Sequence, residues 1–263
     1  MPNYHDVCRD ARNHVAKIIC SNESETPEAI LGLLVGSRAL GYAAETSDVD
    51  VTVIVKQSPN DLLLQHRKPP STINWSTTLD GRLHAGEINI VTITDAVNQI
   101  MSGDARLITA LVLDPPIADE NGKLVDDLHL LARIAMHTPR AQNSILNFLE
   151  KKTKALKLRP KNCDEDTLIK ILTSGLVLEN VYRAARDMRA TADTVTVPAE
   201  LAERCRDMRA SHTIDERYVE LFIDTVVQDH TVWNNLRNDR ADLVYEHYAE
   251  TLAVAIIRDV YHI

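Results

Sequence analysis

A chain of 263 residues with 44% hydrophobic content is long enough for one large domain or two modest lobes, and with only 4% aromatics its cores must be aliphatic. So few aromatic side chains leave no room for a stacking platform as the main grip on single-stranded nucleic acid. The formal charge of -9 also argues against a mainly electrostatic hold on a polyanion, although carboxylates set aside for metal ions inflate the acidic count.

Tyr4 to Cys20 reads as an amphipathic helix, with Val7, Ala11, His14, Val15 and Ile18 at helical spacing, suited to packing beside a sheet. Two strand-length apolar runs follow, Ala29 to Val35 and Val51 to Val55, the second rich in β-branched residues. Between them lies the most informative stretch, Gly36-Ser37-Arg38-Ala39-Leu40-Gly41-Tyr42-Ala43-Ala44-Glu45-Thr46-Ser47-Asp48-Val49-Asp50. Gly36 allows a sharp turn and a close backbone approach to a ligand, and Ser37 is placed to cap a short helix beginning at Arg38. Free N–H groups at such a turn suit a triphosphate. Asp48 and Asp50 are expected on the second strand, where the two-residue repeat sends both carboxylates to one face. Adjacent carboxylates repel unless a cation lies between them, and a pair of Mg²⁺ ions, hard and oxygen-seeking, resolves that repulsion. Two ions about 4 Å apart serve in-line displacement at phosphorus.

Residues 57–82 read as loop-rich, with Pro59, Lys68-Pro69-Pro70 and Asp80-Gly81-Arg82 as turns and Ile73 to Leu79 as a short strand. Trp75 within it either packs in the core or approaches a nucleotide. Glu87 opens a further strand, Glu87 to Ile93, and is the expected third carboxylate, on the metal nearest the nucleophile and as proton acceptor. Helical periodicity covers Thr94 to Met101 and Leu107 to Leu113. Asp114-Pro115-Pro116 then stops the pattern and divides a catalytic part, 1–116, from a substrate-binding part, 117–263. The latter reads as all helical: Leu124 to His137, Ala141 to Leu158, Glu165 to Ala190, Ala199 to Ala210, Asp215 to Leu236 and Asp239 to Val260.

Several residues carry two readings. Arg38 either contacts a phosphate or pairs with an acid; Ser47 is a nucleotide ligand or a turn residue; Tyr42 stacks on a base or packs. Lys151 to Lys161 holds six cations and no acid, which suits either a solvated helix end or an RNA contact. Arg140, Lys154, Arg183 and Arg186 are candidate contacts for a polyanionic acceptor or partners of nearby acids. Cys8, Cys20, Cys163 and Cys205 lack a Cys-x-x-Cys spacing, there is no apolar signal region, and no apolar run reaches membrane length, so a reduced, cytoplasmic chain without a membrane partner is expected. Among ten histidines only His129 and His137, eight apart, come near co-facial spacing, which is not a zinc pattern.

Gly36-Ser37, ten intervening residues and Asp48-Val49-Asp50 resemble the signature of the DNA polymerase β-like nucleotidyltransferase superfamily. The wording Gly-Ser-Arg-Ala-Leu-Gly-Tyr-Ala with Thr46-Ser47 before the aspartates is similar to its bacterial and phage RNA-repair-pathway branch. Two departures stand out: Asp104-Ala105 replaces an Asn-Pro pair, and Glu87 replaces the branch's usual third Asp. The resemblance implies an α+β fold with a polymerase β-like palm, a small mixed sheet flanked by helices, followed by an all-helical lobe. It implies nucleoside triphosphate (ATP among them) as substrate held at Gly36, Ser37, Arg38 and Ser47, two Mg²⁺ or Mn²⁺ ions on Asp48, Asp50 and Glu87, and an RNA or tRNA 3′ end as acceptor. The same apparatus serves transfer to a protein or to a small molecule such as an aminoglycoside, and a catalytically silent nucleotide-binding regulator keeps the fold without turnover. Oligomeric state has no sequence signal.

Overall fold

A computed structural model describes residues 3–19, 28–58, 71–113, 116–160, 163–187, 195–236 and 241–262. Cys20, the turns expected at Pro59 and Lys68-Pro69-Pro70, the Asp114-Pro115 pair, Lys161, and the ends of two expected helices, 188–190 and 239–240, lie outside these residues.

Four strands form one mixed sheet: β1 (Glu28–Leu34), β2 (Val51–Lys56), β3 (Thr72–Leu79) and β4 (Arg82–Thr92), in the order β1-β2-β4-β3. β1 runs antiparallel to β2, β2 parallel to β4, and β3 antiparallel to β4. Asp80 and Gly81 both take positive φ, 51° and 77°, as a two-residue hairpin turn between β3 and β4 requires. That hairpin corrects one expectation: β4 begins at Arg82, not Glu87, because pairing with β3 extends the strand through Arg82 to Gly86, which are exposed or half-buried and form no continuous apolar run. It ends at Thr92, whose hydroxyl accepts the Asp95 N–H at 3.0 Å and starts a helix.

α1 (Tyr4–Ile19) covers one face of the sheet, setting Val7, Cys8, Ala11 and Val15 against Val51, Val53, Val55, Ile88 and Ile90. Cys8 belongs to this buried face, whereas His14 and Ile18 are exposed, so the helix is rotated from its expected setting. Gly32 fixes the rotation: a Cβ there would stand 2.3 Å from the Cys8 carbonyl oxygen, so α1 lies directly on the β1 backbone. Burial pushes the thiols of Cys8 and Cys205 up to about 12, leaving them inert packing groups.

Past the short α2 (Gly36–Ala39), which follows β1, the opposite face, with Leu31, Leu33, Ile54 and Val91, is covered by α3 (Ile93–Met101) and α4 (Ala105–Val112). The same apolar cluster continues into α5 (Gly122–Ala135), α6 (Pro139–Leu158), α7 (Glu165–Asp187), α8 (Ala199–Ser211), α9 (Glu216–Leu236) and α10 (Ala241–Tyr261). The fold is therefore mixed α+β and mostly helical, with ten helices among the described residues. The halves expected at 1–116 and 117–263 share this one core. Residues 117–119 also line the outer edge of β1: Leu34 N–H donates to the Ile117 carbonyl at 3.0 Å, Gly32 N–H to Asp119 Oδ2 at 2.9 Å, and Arg12 pairs with the buried Asp119 at 3.1 Å.

Two of the four expected acceptor contacts are committed inside the helical half. Arg183 pairs with Glu179 at 3.0 Å and Asp229 at 3.5 Å, and Arg186 with Asp229 at 3.4 Å. The basic run is likewise broken up: Lys152 is half-buried and donates to Ser174 Oγ at 2.7 Å, and Arg159 pairs with Glu216, so Lys151, Lys154 and Lys157 are left exposed. Burial raises the Glu179 carboxyl to about 7, Arg183 opposing and Asp229 adding to the rise. A raised folded-state pKa contributes stability that is full below the unfolded carboxylate range and is lost as pH rises through the folded value. Thermal unfolding midpoints are accordingly expected to fall between about pH 5 and pH 8, and Glu179→Gln to flatten that slope. An unchanged slope in the variant would show that another group dominates. No described helix is long and apolar enough to cross a membrane.

Candidate active site

The chain leaves β1 at Gly36, whose φ of 71° suits glycine and whose absent Cβ would otherwise stand 3.2 Å from Asp50 Oδ2. α2 uses the Gly36 carbonyl as its first acceptor, from the Leu40 N–H at 3.2 Å, and Val35 occupies the cap position without a side-chain bond. Ser37 thus sits within the turn and is not the expected cap of a helix starting at Arg38.

Asp48 and Asp50 precede β2, which begins at Val51; they are not on the strand as expected. Once β1 has turned at Gly36, residues 48 and 49 have no strand partner on that side among the described residues, and only the β4 side of the ladder continues. There Val49 N–H donates to the Ala85 carbonyl at 2.9 Å, and the Trp75 indole N–H donates to the Val49 carbonyl at 3.1 Å. Val49 is fully buried, Asp48 is exposed and Asp50 half-buried, so the alternation that puts both carboxylates on one side survives the loss of formal strand pairing. Trp75 thereby holds the peptide between the two aspartates through its indole and is not among the residues that line the cleft described below.

Glu87 enters from β4. The register pairs Val51 with Ile88, which brings Glu87 level with Asp50. Gly86 makes the approach feasible: a Cβ there would lie 2.0 Å from the Val49 carbonyl oxygen and 2.8 Å from Trp75 Nε1. Burial raises the Asp50 carboxyl, with Asp48 and Glu87 adding repulsion, against the Glu87 backbone N–H and Arg106, which pull it down.

Gly36, Asp50 and Glu87 share a cleft of about 180 Å³ with Asn89, Gln99, Asp104 and Arg106, and Asp48 lies beside it close enough to act on Asp50. The last four cleft residues were not among those expected from sequence. Asn89 had a signal, since it stands two residues beyond Glu87 on one strand face. Arg106 had none: Asp104, at the site of the missing Asn-Pro pair, caps α4 by accepting the N–H groups of Arg106 and Leu107 at 3.1 and 3.0 Å, and this sets Arg106 in the first turn of the helix.

Arg38 and Ser47 are turned away from the cleft. Arg38 is 8% exposed and donates to the carbonyls of Asp48 at 3.1 Å, Glu45 at 3.4 Å and Ser47, so it shapes the loop that delivers the aspartates. The Ser47 hydroxyl closes a turn by accepting the Ala44 N–H at 2.9 Å. Tyr42 is 3% exposed and belongs to the core. His129 and His137 also serve locally, His129 against the Leu111 carbonyl at 2.5 Å and His137 stacked on Tyr245 at 4.7 Å.

Among the described residues no three His, Cys, Asp or Glu side chains close around one point as ligands. The donor set nonetheless fits hard divalent cations: three neighbouring carboxylates, oxygen donors only, with mutual repulsion that raises Asp50. Repulsion of that kind is what a bound Mg²⁺ removes. The sequence matches no protein-family model and none of the curated proteins with which it was compared, so the reading of the site rests on its own residues and geometry.

Proposed function

We propose that this chain is a metal-dependent nucleotidyltransferase, moving a nucleoside monophosphate from a triphosphate to an acceptor hydroxyl with release of pyrophosphate. The observation that carries the proposal is the convergence of Gly36, Asp50 and Glu87 on one cleft, with Asp48 at its side. Asp48, Asp50 and Glu87 would hold two Mg²⁺ ions, with Mn²⁺ as substitute. When bound, such ions polarise phosphoryl oxygens and lower the pKa of an attacking hydroxyl.

The remaining work falls to the chain. Gly36 leaves the space in which a phosphate approaches Asp50. Arg106 supplies positive charge for the triphosphate, and Asn89 and Gln99 supply amide donors. Glu87 would receive the proton from the acceptor oxygen as that oxygen bonds to the α-phosphorus and the bond to pyrophosphate breaks. Holding the nucleotide in line with the acceptor is the larger part of such catalysis. Arg106→Ala is expected to raise KM for the triphosphate about tenfold with a smaller change in kcat, the pattern of a lost binding contact, checked by steady-state kinetics.

An RNA 3′ end is the proposed acceptor, in keeping with the branch that the motif resembles. The test is incubation of the purified chain with each α-labelled triphosphate and Mg²⁺ or Mn²⁺, in the presence of total RNA, of no added acceptor, or of an aminoglycoside. Label on RNA with matching pyrophosphate release is expected, and Glu87→Ala is expected to abolish it. Label on protein or aminoglycoside would refute the acceptor. No transfer or pyrophosphate in any arm would refute the enzyme and favour a silent nucleotide-binding regulator.

A further inference from the structure

A second cavity lies apart from the carboxylate cleft, where the loop after α2, the β3–β4 turn and α8 meet. It measures about 490 Å³, within the range of small-molecule sites, and its walls include Tyr4, Arg38, Glu45, Arg82, His84 and Arg206. Neither Asp50 nor Glu87 contributes to it.

The charged side chains of these walls lean toward donors, with three arginines against two carboxylates. Arg38 is 8% exposed, and its partners are backbone carbonyls, the Tyr4 hydroxyl at 3.5 Å and His84 Nδ1 at 3.1 Å. Among the described residues no carboxylate lies within ion-pair distance of it. A guanidinium only donates, so His84 Nδ1 accepts and the ring proton stands on Nε2, a further donor. Arg206 reaches across from α8 to the Gly41 carbonyl at 2.6 Å, which leaves the rest of its fork unused, and it too has no carboxylate partner among the described residues. Arg82 pairs with Glu45 at 2.6 Å in an exposed and therefore weak ion pair. Asp80, the other acid in the lining, balances one further charge. Three guanidiniums thus face two carboxylates, and the most deeply placed of the three is uncompensated.

A buried guanidinium at the wall of a cavity, without a carboxylate partner and with two further arginines in the same lining, is matched by a ligand with several acceptor oxygens and negative charge. We propose that this cavity is a second binding site, separate from the metal-dependent cleft, for a small molecule that carries a phosphate group. Arg206 and Arg82 clamp the phosphate over Arg38, and the volume leaves room for the remainder of a phosphate ester. Occupancy also bears on the cleft, because Arg38 holds the Asp48 carbonyl. The inference does not depend on the transferase reading, since it predicts binding without metal or turnover.

The test is calorimetric titration of the full chain, in EDTA, with inorganic phosphate and with adenosine monophosphate. Saturable binding is expected for at least one of them: tighter binding of the monophosphate identifies an ester as ligand, and equal binding identifies the free anion. Arg82→Ala and Arg206→Ala are each expected to weaken binding about tenfold or more, the scale of one charge-assisted contact, while Asp50→Asn leaves it unchanged. Hydrogen exchange on the same samples should show ligand protection at 38–48 and 79–84. Arg82 is exposed on a hairpin, so its variant guards against a folding defect in Arg206→Ala. No saturable binding, undiminished binding in both arginine variants, or protection at 87–107 instead would overturn the proposal.

Discussion

Asp50→Asn is expected to remove nucleotidyl transfer while making the metal-free protein more stable. Asn matches Asp in shape and still accepts the Glu87 N–H, so the loop geometry has no reason to change. The lost charge is the one placed between Asp48 and Glu87 and nearest to burial. Removing one member of a unit that acts together costs on the order of a hundredfold to a thousandfold in kcat. Stability moves the other way. Because the folded-state pKa of Asp50 is raised, its contribution is present at low pH and is lost as pH rises through that value. The variant does not suffer this loss, so near neutral pH its metal-free unfolding midpoint should exceed that of the parent. Mg²⁺ should narrow the gap by stabilising the parent through binding to the folded state. Calorimetry with and without Mg²⁺, beside the transfer assay, reads both effects. A variant less stable than the parent, or one that retains transfer, would contradict the arrangement of the three acids.

Gly86→Ala should be the most damaging single methyl in the sheet. Its Cβ would stand 2.0 Å from the Val49 carbonyl oxygen, a backbone atom held in place by the Trp75 indole and by the pairing of Val49 with Ala85. Trp75 lies opposite Gly86 in the β3–β4 register, and its indole crosses the glycine to reach that carbonyl. A flexible side chain would swing aside; here β4 and the Asp48–Asp50 segment must separate. A cost of about 3 kcal/mol or more follows, at the upper end of overpacking effects. Gly81→Ala is the useful contrast: its φ of 77° strains the backbone, yet no atom lies within 4 Å of the added Cβ, so about 1 kcal/mol is expected. Denaturant midpoints compare the two. Equal losses would mean that the close approach of β4 to Val49 is absent in solution.

These two glycines mark the limit of what the chain disclosed before its structure. Gly36 and the Asp48, Asp50 pair were legible because their meaning is local: a turn, a fixed spacing and an alternation that persists over three residues. Gly86 was silent, since a glycine inside a strand says that something comes close without saying what. Arg38 was readable only as two alternatives, and the deciding fact, three carbonyls of its own loop curling back around it, arises from a path that no periodicity encodes. Arg106 reaches the cleft only because α4 packs against α2 at the Gly36 turn, a long-range contact. The helices of the second half were found within a few residues by their apolar spacing. That they share a core with the sheet was hidden, because periodicity identifies a buried face but not its partner.

The strap at 117–119 makes this last point concrete. By lying along β1 and presenting Asp119 to both Gly32 and Arg12, it acts as a guard on an otherwise naked edge of the sheet. The segment that leads into the helices is therefore part of the sheet's own scaffold, and the helical half is not an exchangeable cassette. A chain severed after residue 116 would surrender both the guard and the partners of its apolar face, and its β1 would be free to recruit a neighbour's strand. A change in the helices is then felt by the sheet through the core they share.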